Sequence, residues 1–215
     1  MSFLDYVASR WQQLLVDSYQ HASMVVQCIL LATIVGVLVG VAVYRSPAGA
    51  AVATALSSAV LTVPSFALFG LLIPVLGLGV APSVVTLVLY ALLPIVRNTI
   101  VGLSSVDQPV LDAARGIGMN RLRVLTRVEL ALAWPGILAG MRVSTQMLMG
   151  IAAIAAYAKG PGLGNLIFSG LSGLGSANAL NMALAGTLGV IVLALLLDGV
   201  FVLLGRLTTS RGIRG

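Results

Sequence analysis

The run Val106–Ala131, VDQPVLDAARGIGMNRLRVLTRVELA, decides the fold. Apolar sequence flanks it on both sides. Yet it holds four of the chain's 12 Lys and Arg residues (Arg115, Arg121, Arg123, Arg127) and three of its 6 acidic ones (Asp107, Asp112, Glu129). A segment this polar has no place among lipid tails, where every backbone donor and acceptor needs an internal partner, so it is a water-exposed connection between two membrane spans. It is nonetheless written as folded structure. Asp107 is placed to cap a helix. Pro109 falls in the first turn, where its missing donor costs nothing, and Val110, Leu111 and Ala114 share one helical face. Gly116 and Gly118 let the backbone turn. Asn120 is placed to cap a second helix that runs through Glu129 into the next apolar span.

Outward from this run, the composition is that of a bilayer protein. Of 215 residues 59% are hydrophobic and 8% charged, against about 25% charged in soluble domains; the mean hydropathy is +1.09. The reading is a single transmembrane domain over residues 1–215, all α-helical, with no second soluble domain and no nucleic-acid role for its +6 net charge. The basic residues lie between spans, the pattern of the positive-inside rule. The one cysteine, Cys28, has no disulfide partner, and the first twenty residues lack the apolar core of a cleavable signal.

About five spans emerge. Residues 1–20 read as an amphipathic helix (Phe3, Val7, Trp11, Leu14 and Leu15 against Asp5, Arg10, Gln12 and Gln13), lying in the interface plane or extending the first span. Span one covers about Ser23–Tyr44, with Gly36 and Gly40 as a close-packing face. The uncharged run 46–96 is too long for one crossing. A turn at 77–82 divides it into spans at about Ala55–Leu76 and Ser83–Val101, with Pro64, Pro74 and Pro94 accommodated inside spans. Span four runs from about Leu132 to Tyr157 and span five from about Leu180 to Leu204. Between them, 159–178 is an extracytoplasmic loop whose residues 165–178 form a short re-entrant or surface helix. Placing 106–131 in the cytoplasm puts Arg45, Arg97 and the tail arginines (Arg206, Arg211, Arg214) inside with it and the N-terminus outside.

The chain lacks the material for several chemistries. It has no phosphate-binding Gly-rich loop ending in Lys-Ser/Thr, one histidine, and no carboxylate pair within a span. ATP hydrolysis, a metal or cofactor site, acid–base catalysis and a proton relay are therefore not expected of it. The charged residues inside spans are Arg142 and Asp198, both read as lying in the cytoplasmic third; either they pair and tie span four to span five, or each snorkels to the interface. Aromatic residues, 6% of the chain, look scattered, with no three at one level of one helix. Quaternary ammonium compounds are held by several aromatic faces, so tight selection belongs on another polypeptide, and this chain would offer a weakly binding path. Candidates to line it are Thr62, Ser65 and Phe66 on span two and Ser144, Thr145 and Gln146 on span four; the hydroxyls otherwise serve in bonds between helices or to the preceding turn.

Asp112-Ala113-Ala114, then Gly118, then Val128-x-Leu130 resembles the cytoplasmic EAA loop of ABC importer permeases, with Asp112 for the pattern's Glu, Val128 for its Ile and Ala131 for its Pro. The runs 62–68 (TVPSFAL), 93–99 (LPIVRNT), 140–145 (GMRVST) and 160–164 (GPGLG) resemble the permeases of osmoprotectant importers, over roughly residues 20–205. The resemblance implies the type I importer bundle and a coupling helix centred on Asp112, Ala113, Ala114, Arg115, Gly116 and Gly118 that docks on an ATPase. It also implies two ATPase subunits carrying ATP and Mg, a second permease subunit identical or homologous to this one, an extracytoplasmic substrate-binding protein, and residence in a bacterial cytoplasmic membrane. The expected cargo is an osmoprotectant such as glycine betaine, choline, carnitine or proline betaine; the alternatives are an ABC permease for an amino acid or sulfonate, or an ATP-independent carrier or channel, for which no ion site is visible.

Overall fold

The computed structural model describes residues 1–209; Arg211 and Arg214 of the tail lie outside the described residues. Helix α1 spans Phe3–Val43, started by a capping box in which Ser2 and Asp5 satisfy each other's backbone N–H groups. The amphipathic segment 1–20 and the first span are thus one helix, because His21 and Ala22 between them carry nothing that breaks a helix. Its 41 residues make about 60 Å, roughly twice the hydrocarbon thickness. At its far end Asn181 Nδ2 donates to the Met1 carbonyl at 3.2 Å.

Span two is not one helix. α2 (Pro47–Thr62) and α3 (Ser65–Leu76) meet at a 94° bend. Pro64 removes a donor, and it holds Val63 extended (φ −77°, ψ 125°), the conformation a residue before proline prefers. Pro64 is therefore a breaker, not a proline tolerated inside a span, and the Val63 carbonyl it frees accepts from the Tyr90 hydroxyl. α4 (Val80–Ser104) follows and packs against α1, α2, α3 and α7. Gly36 and Gly40 of α1 face it so closely that an added Cβ would lie 2.7 Å from an Ile95 methyl and 2.5 Å from the Thr99 methyl. Gly140 of α7 sits under the Pro94 carbonyl in the same way, at 2.8 Å. Small residues bring these three backbones together. Val25, Cys28, Ala32, Leu87, Ile95 and Leu148 fill the core between them.

After α4 come α5 (Gln108–Gly116), the short α6 (Arg121–Val124), a π-helical turn (Leu125–Glu129) and α7 (Leu130–Ile154), the last three continuous along the backbone. A 3₁₀ turn (Ala155–Ala158) ends α7. The Gly-Pro-Gly-Leu-Gly run then folds tightly over it. Gly162 has φ +110° with its Cα against His21, where a side chain would meet both strain and a clash. His21 Nε2 lies 3.1 Å from the Met149 carbonyl, tying α1 to the same end of the bundle. α8 (Gly164–Ser172), too short to cross a bilayer, packs on α9 (Ala179–Thr208). By length and composition α1, α4, the continuous 121–158 segment and α9 suit membrane spans, four in all, or five if the bent α2–α3 pair counts as one span.

Candidate functional site

Two features stand out on this bundle: a folded polar segment at one end and an exposed polar row along α7. The segment is built on its own small core. Leu111, Ala114 and Val124 are buried together, with Val106, Met119 and Val128 packed around them. Asp107 stands at the N-cap position but makes no capping bond with its side chain, and Pro109 occupies the first turn. Val110 is 42% exposed, so it does not share the face of Leu111 and Ala114. Ala114 points into this core, which removes it from the outer surface. That surface consists of Asp112, Ala113, Arg115, Gly116, Ile117 and Gly118. Asp112 and Arg115 pair across one turn at 3.1 Å. Ile117 is 77% exposed at the tip of the segment. Gly118 (φ +85°) reverses the chain, and Asn120 caps α6 by accepting from the Arg123 N–H at 2.9 Å.

One buried charged contact beside the segment is not visible in the sequence. Glu129, the last residue of the π turn, is 2% exposed. Its two carboxylate oxygens each accept from the Tyr44 hydroxyl at 2.9 Å and from Arg45 Nη2 at 3.2 and 3.1 Å. The end of α1 is thereby bolted to the hinge between the polar segment and α7. The available signal was two matching features: a Tyr-Arg pair at the mouth of one span and a carboxylate at the mouth of another. Arg45, Arg115 and Arg121 also surround a cavity of about 560 Å³ between these elements, which gives this end of the molecule a positive field.

The second feature runs along α7. Arg142 grips Asp198 of α9 side-on, Nε to Oδ1 at 2.6 Å and Nη2 to Oδ2 at 2.7 Å, and Gln146 Nε2 adds a bond to Oδ1 at 2.6 Å. Arg142 falls at the midpoint of the 25-residue α7, not toward one third of it. Ser144 and Thr145 point the other way. Both are buried, and they donate to the Ala91 carbonyl (2.9 Å) and the Met141 carbonyl (2.8 Å), so they knit the bundle and line no opening. Thr62 donates to Ala59 O at 2.7 Å from an exposed position, and Ser65 begins α3 half-buried. Phe66 is 45% exposed and packs on Tyr157 (4.8 Å between centroids) and Phe168 (6.1 Å). These rings come from α3, the 3₁₀ turn and α8. A cluster assembled from three elements escapes inspection of any one helix, and it corrects the impression that the aromatics are scattered.

Beyond Ala131 in its first turn, the exposed positions on α7 are Ala139, Arg142, Val143, Gln146 and Gly150, and Tyr157 follows in the turn. At 100° per residue they occupy a single arc. One exposed face therefore links the charge pair to the aromatic cluster, about 22 Å apart along the axis. Among the described residues no group of His, Cys, Asp and Glu side chains is arranged to hold a metal ion.

Comparison with known proteins agrees with this architecture. Residues 32–210 match the family model described as the binding-protein-dependent transport system inner membrane component. The chain is 40% identical to the osmoprotectant import permease protein OsmW of Salmonella typhimurium, with 92% of each chain covered. It is 34% identical to the glycine betaine/carnitine/choline transport system permease protein OpuCB of Bacillus subtilis, over 99% of this chain and 96% of that one. In fold it matches a chain of the inward-facing MetNI methionine ABC transporter with TM-score 0.76 at 22% identity, over 92% and 96% of the two chains.

Proposed function

This chain belongs to the family of binding-protein-dependent transport system inner membrane components, and from that premise we propose that it is the permease subunit of an ATP-driven importer of osmoprotectants: glycine betaine, choline, carnitine or proline betaine. The observation that carries the proposal is the α5 segment. A helix with its own core and a bare hydrophobic tip, held outside a bundle that has no phosphate-binding loop, is shaped to receive force from another protein. Its relatives OsmW and OpuCB bear osmoprotectant and glycine betaine, carnitine and choline in their names, which supports that cargo over an amino acid or a sulfonate.

In this reading the end carrying α5, Arg45 and Arg121 faces the cytoplasm, the Lys159–Gly164 turn faces outside, and the α1 N-terminus lies on the outer side. Two ATPase subunits bind ATP and Mg, and Ala113, Gly116 and Ile117 seat α5 in their grooves. A second permease subunit completes the path, and a receptor delivers cargo from outside. When the ATPases close, α5 moves as a unit on its core; Glu129 passes the displacement to α1 and the π turn passes it to α7. The path is the exposed α7 face with Thr62, Ser65, Phe66 and Gln146, and the Phe66–Tyr157–Phe168 cluster offers ring faces to a quaternary ammonium group.

The test is uptake into proteoliposomes holding the chain with its co-purifying ATPase and receptor. ATP-dependent accumulation of glycine betaine or choline is expected. Hydrolysis stimulated only by an amino acid or a sulfonate, or uptake without any ATPase, contradicts the proposal.

A further inference from the structure

We propose that Arg142 and Asp198, steadied by Gln146, form a site within the permease path that binds the carboxylate of a zwitterionic cargo, so that the path itself distinguishes a betaine from a plain quaternary cation. This rests on reading the chain as a permease for quaternary ammonium solutes.

Two opposite charges in the middle of apolar helices are costly, and such residues ordinarily face a cavity or a pathway. A brace between α7 and α9 would be best hidden, yet Arg142 keeps 44% of its side chain exposed and Asp198 24%. Arg142 also sits on the same arc of α7 as Gly150 and Tyr157, so the exposed face that reaches the aromatic cluster passes through this pair. The pairing leaves binding capacity over. It uses Nε and Nη2 of Arg142, and Nη1 makes no hydrogen bond among the described residues. A guanidinium has five N–H groups, so its outer edge can take a second carboxylate without releasing Asp198. Asp198, which accepts three bonds, holds the guanidinium of Arg142 in one orientation. The pair is neutral as a unit, so a zwitterion joins it without adding net charge to a low-dielectric site. Its carboxylate meets the free guanidinium edge, while its ammonium group lies toward Asp198. Ala139 and Val143 beside the pair are also exposed. A choline-type cation has no carboxylate and gains nothing from Arg142.

The experiment compares uptake of glycine betaine and of choline by the assembled complex in proteoliposomes. Arg142→Gln is expected to lower glycine betaine uptake roughly tenfold or more, the loss of a charge-assisted contact, while choline uptake stays within about twofold. Arg142→Lys, which keeps the charge but not the fork, falls between. An assembled Arg142→Gln complex that loses both cargoes in equal proportion overturns the site and leaves the pair as a brace. A second measurement spares the pair. Val143→Cys places a thiol beside it, the native Cys28 being buried, and glycine betaine is expected to slow its modification by a hydrophilic thiol reagent more than choline does. A thiol that never reacts in the complex, covered by a second copy or by lipid, or one shielded equally by both solutes, also overturns the proposal. If the wild-type complex carries neither solute, it is the cargo reading that fails.

Discussion

At the scale of single residues, the structure turns on atoms that have no spare partner. Glu129 is a buried carboxylate whose bonds come from Tyr44 and Arg45. Tyr44→Phe leaves it with the half-exposed Arg45 alone, and an under-satisfied buried carboxylate costs about 1–3 kcal/mol. Denaturation of the purified chain should show that loss. Adding Glu129→Leu to Tyr44→Phe should recover part of it, because replacing both members of a buried polar pair by apolar groups is far cheaper than removing one. A double variant less stable than Tyr44→Phe alone would contradict this account. The close helix crossings behave similarly. At Gly140 a methyl would lie 2.8 Å from the Pro94 carbonyl, whereas at Gly70 nothing lies within 4 Å. Gly140→Ala should therefore lower the melting temperature while Gly70→Ala holds or raises it, since alanine favours a helix by up to about 1 kcal/mol over glycine. Equal shifts for the two would remove the packing argument.

At the scale of elements, α5 has two sides with different jobs. Leu111 and Ala114 face its own core, and Ala113, Gly116 and Ile117 face out. Ala114→Trp should open the segment and expose residues 106–120 to limited proteolysis. Ile117→Asp should leave the segment protected yet lower ATPase retention on purification at least tenfold, as loss of a hydrophobic anchor does. Proteolytic nicking in both variants, or in neither, would show that the two faces are not separate. The same helix shows what the sequence does and does not reveal. Its boundaries follow from Pro109, Gly116, Gly118 and Asn120, residues whose backbone chemistry is local. The inward side of Ala114 depends on Val124 and Met119, which return only after the turn. Pro64 is the same lesson at a larger size. Prolines within membrane helices are often tolerated; at the 94° break before this one, a tyrosine 27 residues onward takes up the Val63 carbonyl. Glu129 reads as one more charge of a polar loop until α1 arrives from 85 residues earlier. Gly36 and Gly40, by contrast, announce a helix contact through their spacing alone, and α4 fills it.

At the scale of the whole molecule, the bundle has an end that carries the folded α5 segment and that in the proposed reading receives the force, a clasped end and a face between them. α5 and the Glu129 bolt mark the first; His21, Gly162 and the 3₁₀ turn mark the second. The α7 face connects the Arg142–Asp198 pair to the aromatic cluster. In the proposed reading the continuous 121–158 segment crosses the bilayer once and puts the Lys159 turn and the α5 tip on opposite sides. With Cys28 buried, a cysteine placed at Lys159 and one placed at Ile117 should be labelled by an impermeant reagent from opposite faces of sealed vesicles; labelling from the same face would refute that crossing. The most direct test of force entering through α5 is photo-crosslinking from position 117 in the assembled importer. The account predicts a cross-link from this position to the ATPase subunit and none from position 159; capture of the receptor from position 117, or of the ATPase from position 159, would contradict it.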